Sequence, residues 1–472
     1  MMKIDLDTPV MDLTPNDLLT LRQCFESLCL FGGTGSGKST LLAVIIRAML
    51  DMQFGMVFTT TKPEDKQDYI ELIKESGRED QLVIFGTKHR YFFDAIEQQA
   101  KLDDGSDTFS LVALLMIMVE VANGGSVKGK EPYWELAMRQ MITNAIDLLK
   151  AADELITIQN IYRLIISAAT GERQLSSKEW REKSYCFACL NKASETTDSF
   201  KDGDDIAMHF EDFPVTFDYW MNEFPNLSEK TRSIVVSMFT TTANAFIRGH
   251  LKKMFVHNSK GIATPPDILR SGALIILDLP TKKYSVLGKL AQSLFTMMTM
   301  STMERMPLSH HPRPVSIVSD EAYQFLSSFH IDNQSTLRSS GTCCVYAGQS
   351  ISSYQIGLGE QSEAKVQNLF SNISTKIFLA NTDIATNDYA AKLFGEVWSS
   401  QTSSSTSIDP DNDPKMSASI SDQKRHVIEP LYFSNNLLRG GPKDGNTVSA
   451  LVHQIGRIWS NDKNYLEVFY QR

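Results

Sequence analysis

The chain has 472 residues, of which 42% are hydrophobic and 22% are charged. These values are close to those of ordinary globular proteins, so they predict packed cores and exclude a wholly disordered chain. The formal net charge of −10 argues against a protein that coats nucleic acid with its whole surface. It allows a local basic channel, because the local field decides such a contact.

The first twelve residues are polar and acidic, which does not match a secretory signal. The longest apolar run, residues 111–119, is too short to span a bilayer and is followed by Glu120. The sequence therefore predicts a soluble, cytoplasmic protein with no direct membrane span.

The first part of the chain alternates short apolar strands with helices. A strand at residues 28–31 leads directly into a glycine-rich loop, and a helix with many apolar residues is predicted for residues 38–51. Further strands are predicted at residues 56–59 and 82–85. This alternation indicates an α/β fold with a mostly parallel sheet built from βαβ units.

The pattern becomes helical from about residue 103 to 261, where strong strand signals are absent. We therefore predict an all-α insertion domain at 101–262, between a first part of the nucleotide-binding domain at 1–100 and a second part at 263–472. In the second part, residues 399–421 are rich in Ser, Thr and Asp and are predicted to form a flexible surface loop. The remaining predicted elements are strands at 272–280, 315–318, 342–347, 376–380, 448–459 and 465–470, and a helix at 286–304.

Residues 32–39, Gly-Gly-Thr-Gly-Ser-Gly-Lys-Ser, match the phosphate-loop pattern GxxxxGK[ST] at every fixed position. The glycines allow successive backbone N–H groups to face a phosphate, Lys38 neutralises phosphate charge, and Ser39 supplies a hydroxyl to Mg²⁺. The loop therefore predicts binding of ATP and Mg²⁺. The predicted nucleotide-binding residues are Gly32, Gly33, Thr34, Gly35, Ser36, Gly37, Lys38, Ser39 and Thr40.

A phosphate-loop hydrolase also needs an acidic residue at the end of a neighbouring strand. Asp320 and Glu321 follow the apolar strand at 315–318. We predict that Asp320 holds Mg²⁺ through water and that Glu321 orients or deprotonates the attacking water. Asp278 ends a similar strand and is the alternative, although it has no adjacent carboxylate.

Two further polar residues suit hydrolysis. Gln349 follows the strand at 342–347 and is predicted to sense the γ-phosphate. Arg338, at the end of a helical segment, is predicted to reach the nucleotide of a neighbouring subunit. From spacing alone, an exposed arginine without a catalytic role fits Arg338 equally well.

Segments 30–40, 317–321 and 337–350 resemble, in sequence and order, the TraG/TraD-type conjugative coupling proteins of type IV secretion, within the FtsK/HerA superfamily. The most distinctive of them is the run Arg-x-x-Gly leading to a strand that ends in Gln-Ser. Residues 382–395 resemble a later helix of the same family.

The resemblance implies a RecA-like domain interrupted by an all-α domain. It assigns ATP and Mg²⁺ to Lys38 and Ser39, hydrolysis to Asp320 and Glu321, the arginine finger to Arg338, and the sensor glutamine to Gln349. It further implies a hexameric ring that pumps DNA. Family members usually begin with transmembrane helices, whereas here about 27 residues precede the first predicted strand. Either a membrane-anchored, relaxase or secretion partner brings the protein to the inner membrane, or the chain is a soluble relative with another role.

The leading hypothesis is an ATP-driven oligomeric motor that translocates DNA. One alternative is a soluble ATPase of a secretion or defence system that acts on a protein or a partner nuclease. The other is a nucleotide-dependent scaffold with negligible turnover. The acidic pair Asp320 and Glu321 argues against the scaffold.

Overall fold

The strands of the protein form one large sheet and two separate hairpins, as seen in a computed structural model. The structure describes residues 5–88, 91–102, 108–123, 132–199, 213–255, 271–306, 313–359, 362–408 and 414–471. The strands are β1 Pro9–Thr14, β2 Asp17–Thr20, β3 Leu28–Phe31, β4 Gly55–Phe58, β5 Leu82–Gly86, β6 Leu274–Asp278, β7 Val315–Ser319, β8 Thr342–Gly348, β9 Thr375–Phe378, β10 Glu396–Ile408, β11 Pro414–His426, β12 Thr447–Gln454 and β13 Tyr465–Gln471.

Nine strands form the central sheet in the order β13-β12-β9-β3-β8-β7-β4-β6-β5. From β9 to β5 all neighbouring strands are parallel, whereas β12 is antiparallel to both β9 and β13. Every residue of β3 is buried, as a parallel strand covered on both faces requires. The predicted α/β class with a mostly parallel sheet is confirmed.

Because the seven strands from β9 to β5 are parallel, their carboxyl ends meet along one edge of the sheet and their amino ends along the other. We call these the carboxyl edge and the amino edge. The register fixes which residues meet there: Phe31 in β3 pairs with Gly348 in β8 and with Phe378 in β9. The loops that follow β3, β8 and β9 therefore lie side by side at the carboxyl edge.

The named elements in the described part of the chain between β5 and β6 are all helices. Its helices have the bounds Ala95–Leu102, Thr108–Ala122, Pro132–Ala151, Ile158–Ser167, Glu172–Leu175, Lys178–Lys183, Tyr185–Ser199, Phe213–Asp218, Phe224–Asn226, Glu229–Ile247 and Gly249–Met254, with a π-helical turn at Tyr219–Glu223. Their apolar residues share one core with Ile275 of β6 and with Phe295 of the helix Thr281–Glu304. The domain boundaries at 100/101 and 262/263 remain predictions.

Other helices connect the strands of the sheet. Their bounds are Leu21–Phe25, Lys38–Asp51, Asp65–Glu75, Thr281–Glu304, Ser328–Asn333, Ile351–Leu358, Ser362–Ser371, Ile384–Phe394 and Pro430–Asn435, with 3₁₀ turns at Glu79–Gln81, Ala322–Gln324, Leu337–Ser340 and Pro442–Asp444. The helix Lys38–Asp51 packs six buried apolar residues into a core that it shares with the sheet. This helix begins and ends where the sequence predicted.

The prediction of a flexible loop at 399–421 is wrong. Strands β10 and β11 form a long antiparallel hairpin whose pairing runs from Glu396 with His426 to Ile408 with Pro414. Exposed serines and threonines dominate the hairpin, so it lacks the alternation of apolar and polar residues that indicates a half-buried strand. The sequence also gave no signal for the hairpin of β1 and β2 before the first predicted strand.

Among the described residues, no helix combines the length and apolar character that crossing a bilayer requires.

Candidate active site

The glycine-rich loop joins β3 to the helix Lys38–Asp51 at the carboxyl edge. Gly35 and Gly37 have left-handed backbones, with φ angles of 74° and 87°. A Cβ atom on Gly37 would also collide with the side chain of Val448. Any residue other than glycine would therefore be both strained and crowded at this position.

The loop is held at its base by the neighbouring strands and presents free donors at its tip. The Gly32 N–H donates to Gly348 O at 3.2 Å, and the Gly33 N–H donates to Ala380 O at 3.0 Å. The first N–H groups of a helix have no partner within the helix, and together with loop amides they favour an anion. Ser36 Oγ is buried and accepts or donates no hydrogen bond among the described residues. This combination suits a phosphate group.

Lys38 lies between the two predicted carboxylates. Its Nζ is 3.0 Å from Asp320 Oδ1 and 3.0 Å from Glu321 Oε1. Burial alone would lower the pKa of Lys38, but attraction to Asp320 and Glu321 outweighs this effect and raises the pKa above its ordinary value. The lysine is therefore a permanent cation at neutral pH. The structure brings Lys38 into contact with this adjacent pair, although Lys38 and Glu321 are 283 positions apart in the chain.

Glu321 begins the turn after β7 with an unusual backbone, at φ 52° and ψ 46°. Its N–H donates to Asp320 Oδ1 at 3.0 Å. Its Oε1 accepts a hydrogen bond from Gln349 Nε2 at 3.2 Å, while its buried Oε2 has no partner among the described residues. One oxygen of the carboxylate is thus fixed, and the other can accept a hydrogen bond from a water molecule or a ligand.

Gln349 is the residue that follows β8, and its backbone is fixed as well as its side chain. Asn381 Nδ2 donates to Gln349 O at 2.8 Å, which ties the ends of β8 and β9 together. All the predicted residues except Arg338 surround one cleft at the carboxyl edge. The cleft is lined by Gly32, Gly33, Thr34, Gly35, Ser36, Gly37, Lys38, Ser39, Thr40, Lys62, Asp320, Glu321 and Gln349.

The donors around the cleft fit Mg²⁺ bound together with a nucleotide. Within the described residues, no group of three or more His, Cys, Asp and Glu side chains could hold a metal ion by itself. Ser39 and Asp320 both line the cleft, and Mg²⁺ commonly combines one or two protein oxygens with water and substrate phosphates. The hydroxyl of Ser39 and the carboxylate of Asp320 are the oxygens that would hold it.

The alternative acid, Asp278, has a different environment. It ends β6, which is separated from β7 by β4. Its Oδ2 forms an ion pair with Lys66 Nζ at 2.9 Å, and it does not line the cleft. The geometry therefore favours Asp320 and Glu321 over Asp278.

Arg338 lies away from the cleft of its own chain. It belongs to the 3₁₀ turn Leu337–Ser340, which precedes β8 and so lies at the amino edge. Its Nη1 forms an ion pair with Glu26 Oε1 at 3.2 Å, and its side chain is 57% exposed. The seven residues of β8, at about 3.3 Å each, separate Arg338 from Gln349. Arg338 cannot reach the nucleotide cleft of the same chain.

One cleft residue was missed by the sequence analysis. Lys62 follows β4, the neighbour of β7, and its exposed side chain lines the cleft opposite the loop. The sequence did contain a signal for this residue. Polar residues that follow a parallel strand lie at the carboxyl edge of the sheet, and Thr59 to Lys62 are such residues. Only the order of strands reveals that β4 ends beside Asp320.

Residues 314–433 match the family model described as the TraM recognition site of TraD and TraG. No curated protein has a significantly similar sequence. The matched segment begins just before β7 and ends in the helix Pro430–Asn435, so it contains Asp320, Glu321, Arg338 and Gln349.

Solved structures share the fold over nearly the whole chain. The unbound bacterial conjugative coupling protein TrwBdeltaN70 is 13% identical, with a TM-score of 0.58 over 96% of this chain and 86% of that chain. The plasmid coupling protein TrwB in complex with the ATP analogue ADPNP is 13% identical, with a TM-score of 0.56 over 94% and 84%. The complex of TrwB with ADP and Mg²⁺ has the same identity and TM-score over 95% and 85%. The family-model match and this shared fold confirm the predicted resemblance to TraG/TraD-type coupling proteins.

Proposed function

We propose that the protein is a Mg²⁺-dependent ATPase that works as a hexameric ring and moves DNA. The observation that carries the proposal is the contact of Lys38 with Asp320 and Glu321 at the tip of a phosphate loop. The TrwB structures with ADPNP and with ADP and Mg²⁺ support nucleotide binding in this fold. Residues 32–40 would hold the phosphates, and Ser39 with Asp320 would hold Mg²⁺.

The cleft residues have different roles in the proposed hydrolysis. Glu321 accepts a proton from a water molecule as the water oxygen attacks the γ-phosphorus. The bond between the γ-phosphorus and the oxygen that bridges it to the β-phosphorus then breaks, which releases ADP and phosphate. The fixed Oε1 and the free Oε2 suit a carboxylate that must be oriented on one side and accept a proton on the other. Bound Mg²⁺ would supply charge neutralisation for the phosphate oxygens.

A basic surface supports the DNA part of the proposal. The ring centroids of His250 and Tyr284 are 6.1 Å apart. The helix Gly249–Met254 therefore contacts the start of the helix Thr281–Glu304. These two segments carry exposed cations that concentrate positive charge on a protein of net charge −10, and phosphate backbones bind such surfaces. The exposed cations are Arg248, Lys252, Lys253, Lys282 and Lys283.

The family-model match favours a protein partner in addition. That model describes the TraM recognition site of TraD and TraG, and it covers residues 314–433 here. We therefore propose a partner of the relaxosome or secretion type for this segment. This partner would also bring the protein to a membrane.

The test is the ATPase rate with and without single- and double-stranded DNA, measured together with particle mass. We expect DNA to stimulate hydrolysis, the stimulation to fall as salt rises, and Lys38→Ala to abolish hydrolysis. A rate that DNA does not change but a TraM-type protein does would favour the protein-directed ATPase. Binding of ATP without turnover under all conditions would favour the scaffold.

A further inference from the structure

We propose that Lys62 binds the γ-phosphate of ATP and makes the cleft distinguish ATP from ADP. This inference rests on the proposed function, because it assigns a role within the same nucleotide site. It concerns a residue that neither the phosphate-loop motif nor the acidic pair includes.

The first observation is that Lys62 is the available cation of the cleft. Of the residues that line the cleft, Lys38 and Lys62 are the cationic ones. Lys38 is already within 3.0 Å of two carboxylate oxygens. The ammonium group of Lys62 is exposed and forms no ion pair or hydrogen bond among the described residues. It can therefore turn towards a ligand without breaking an existing contact.

The second observation is that the backbone beneath Lys62 is fixed. The N–H groups of Thr61 and Lys62 both donate to Asp65 Oδ2 at 2.7 Å. Thr61 O accepts a hydrogen bond from Lys282 N at 3.0 Å, and Thr61 Oγ1 donates to Asp320 O at 3.3 Å. The segment is thus attached directly to the residue that precedes Glu321. A fixed Cα with a free ammonium group loses less entropy on binding a ligand than a mobile loop would.

Gln292 adds a buried anchor to the same segment. Its Oε1 accepts from Thr60 N at 2.6 Å, and its Nε2 donates to Thr60 O at 3.0 Å and to Leu279 O at 2.8 Å. Gln292 is fully buried in the helix Thr281–Glu304. The side-chain amide of Gln292 thus binds the segments that follow β4 and β6, and these hydrogen bonds satisfy a polar group that is buried.

Position and charge point to the γ-phosphate in particular. Lys62 comes from the end of β4, beside the β7 end that carries Asp320 and Glu321, whereas the loop approaches from β3 on the far side of β8. The phosphate nearest Glu321 is the one that water attacks. A bound triphosphate adds more negative charge than Mg²⁺ cancels, and Asp320 and Glu321 offset Lys38, so Lys62 supplies the missing positive charge.

Equilibrium binding of Mg·ADPNP and of Mg·ADP by calorimetry tests the proposal. Lys62→Met keeps the length of the side chain and removes its charge. We expect ADPNP to bind about tenfold more weakly to this variant and ADP to change by less than about twofold, because one charge-assisted hydrogen bond is lost only with the triphosphate. Lys62→Arg should recover most of the ADPNP affinity.

Lys66→Met is the matched control. Lys66 lies four residues further along the chain, its Nζ pairs with Asp278 Oδ2 at 2.9 Å, and it does not line the cleft. We expect it to bind both nucleotides as the wild type does. If Lys62→Met weakens the binding of ADPNP and ADP equally, or weakens neither, the role of Lys62 is overturned while the proposed function stands. Wild-type protein that binds neither nucleotide would overturn the proposed function as well.

Discussion

The two edges of the central sheet differ in how complete their chemistry is. At the carboxyl edge, Lys38, Asp320, Glu321 and Gln349 are in direct contact within one chain. At the amino edge, Arg338 is largely exposed and forms an ion pair with Glu26. One edge holds a site assembled by the fold of a single subunit, and the other presents a cation that its own cleft cannot use.

This difference follows from the parallel strands. A residue just before β8 and a residue just after it lie at opposite ends of the same strand, so Arg338 and Gln349 are kept apart however the side chains move. A role for Arg338 in hydrolysis therefore requires a second subunit whose cleft faces the amino edge of the first. We therefore expect substitutions at the carboxyl edge to impair the cleft of their own chain, and substitutions at the amino edge to impair the cleft of a neighbouring chain.

Of the substitutions that compare the two edges, Arg338→Ala has the largest expected effect. If Arg338 completes the cleft of a neighbouring subunit, the variant should bind ATP normally and hydrolyse it about 10³-fold more slowly, because transferred charge loses its cation. Steady-state ATPase assays together with ATP binding measure this. Mixing Arg338→Ala with Glu321→Gln should restore part of the activity, because some sites then combine an intact Glu321 with the intact Arg338 of a neighbouring subunit.

Arg47→Ala is the control for Arg338→Ala. Arg47 is another exposed arginine in an ion pair, with Glu75 at 2.8 Å. Exposed pairs contribute at most about 1 kcal/mol to stability, so this variant should keep the wild-type rate. Mixtures of Arg338→Ala and Glu321→Gln that stay as slow as the two variants alone would contradict a role of the amino edge in catalysis between subunits.

Glu321→Gln tests the carboxyl edge itself. Its amide cannot take a proton from water, so we expect hydrolysis to fall by about 10²-fold while ATP still binds. Single-turnover assays separate the chemical step from binding. Asp278→Asn changes the rival acid at the end of β6 and should leave the rate within about threefold. A larger loss from Asp278→Asn than from Glu321→Gln would reverse the assignment of the two acids.

The smallest expected effect concerns the segment that connects the two edges. His330 lies between Glu321 and Arg338, and its ring is fully buried. Its Nδ1 accepts from Ser327 N at 3.2 Å, and its Nε2 is 2.9 Å from Thr296 Oγ1. Burial lowers the pKa of His330 to about 3, so the folded protein keeps the ring neutral.

Unfolding exposes the ring, whose ordinary pKa is about 6.5, so below that pH the unfolded chain binds a proton that the folded protein does not. We expect the free energy of unfolding to fall as pH drops below about 6.5, with His330 contributing on the order of 2 kcal/mol down to about pH 4.5. Urea unfolding of wild type and His330→Gln across this range measures it. The same slope in both proteins would contradict this role for His330.

The phosphate loop was predicted from the sequence, whereas the exposed hairpin was not. The loop was predicted residue by residue, because its chemistry requires fixed glycines and a lysine at fixed spacing between a strand and a helix. The hairpin β10–β11 was missed, because its strands are held by backbone pairing along thirteen residues each and not by an apolar face. Patterns of hydrophobicity detect burial, and this hairpin has little of it.

The sequence by itself determined the α/β class, the loop at 32–40 and the acidic pair at the end of β7, since each depends on neighbours within a few residues. The tertiary structure decided what lies across the cleft. Lys62 lines the cleft, and Asp278 does not, because β4 stands between β7 and β6 in the sheet. It also placed Arg338 at the amino edge, away from the cleft of its own chain. Strand order and direction come from packing the whole sheet, and no local pattern encodes them.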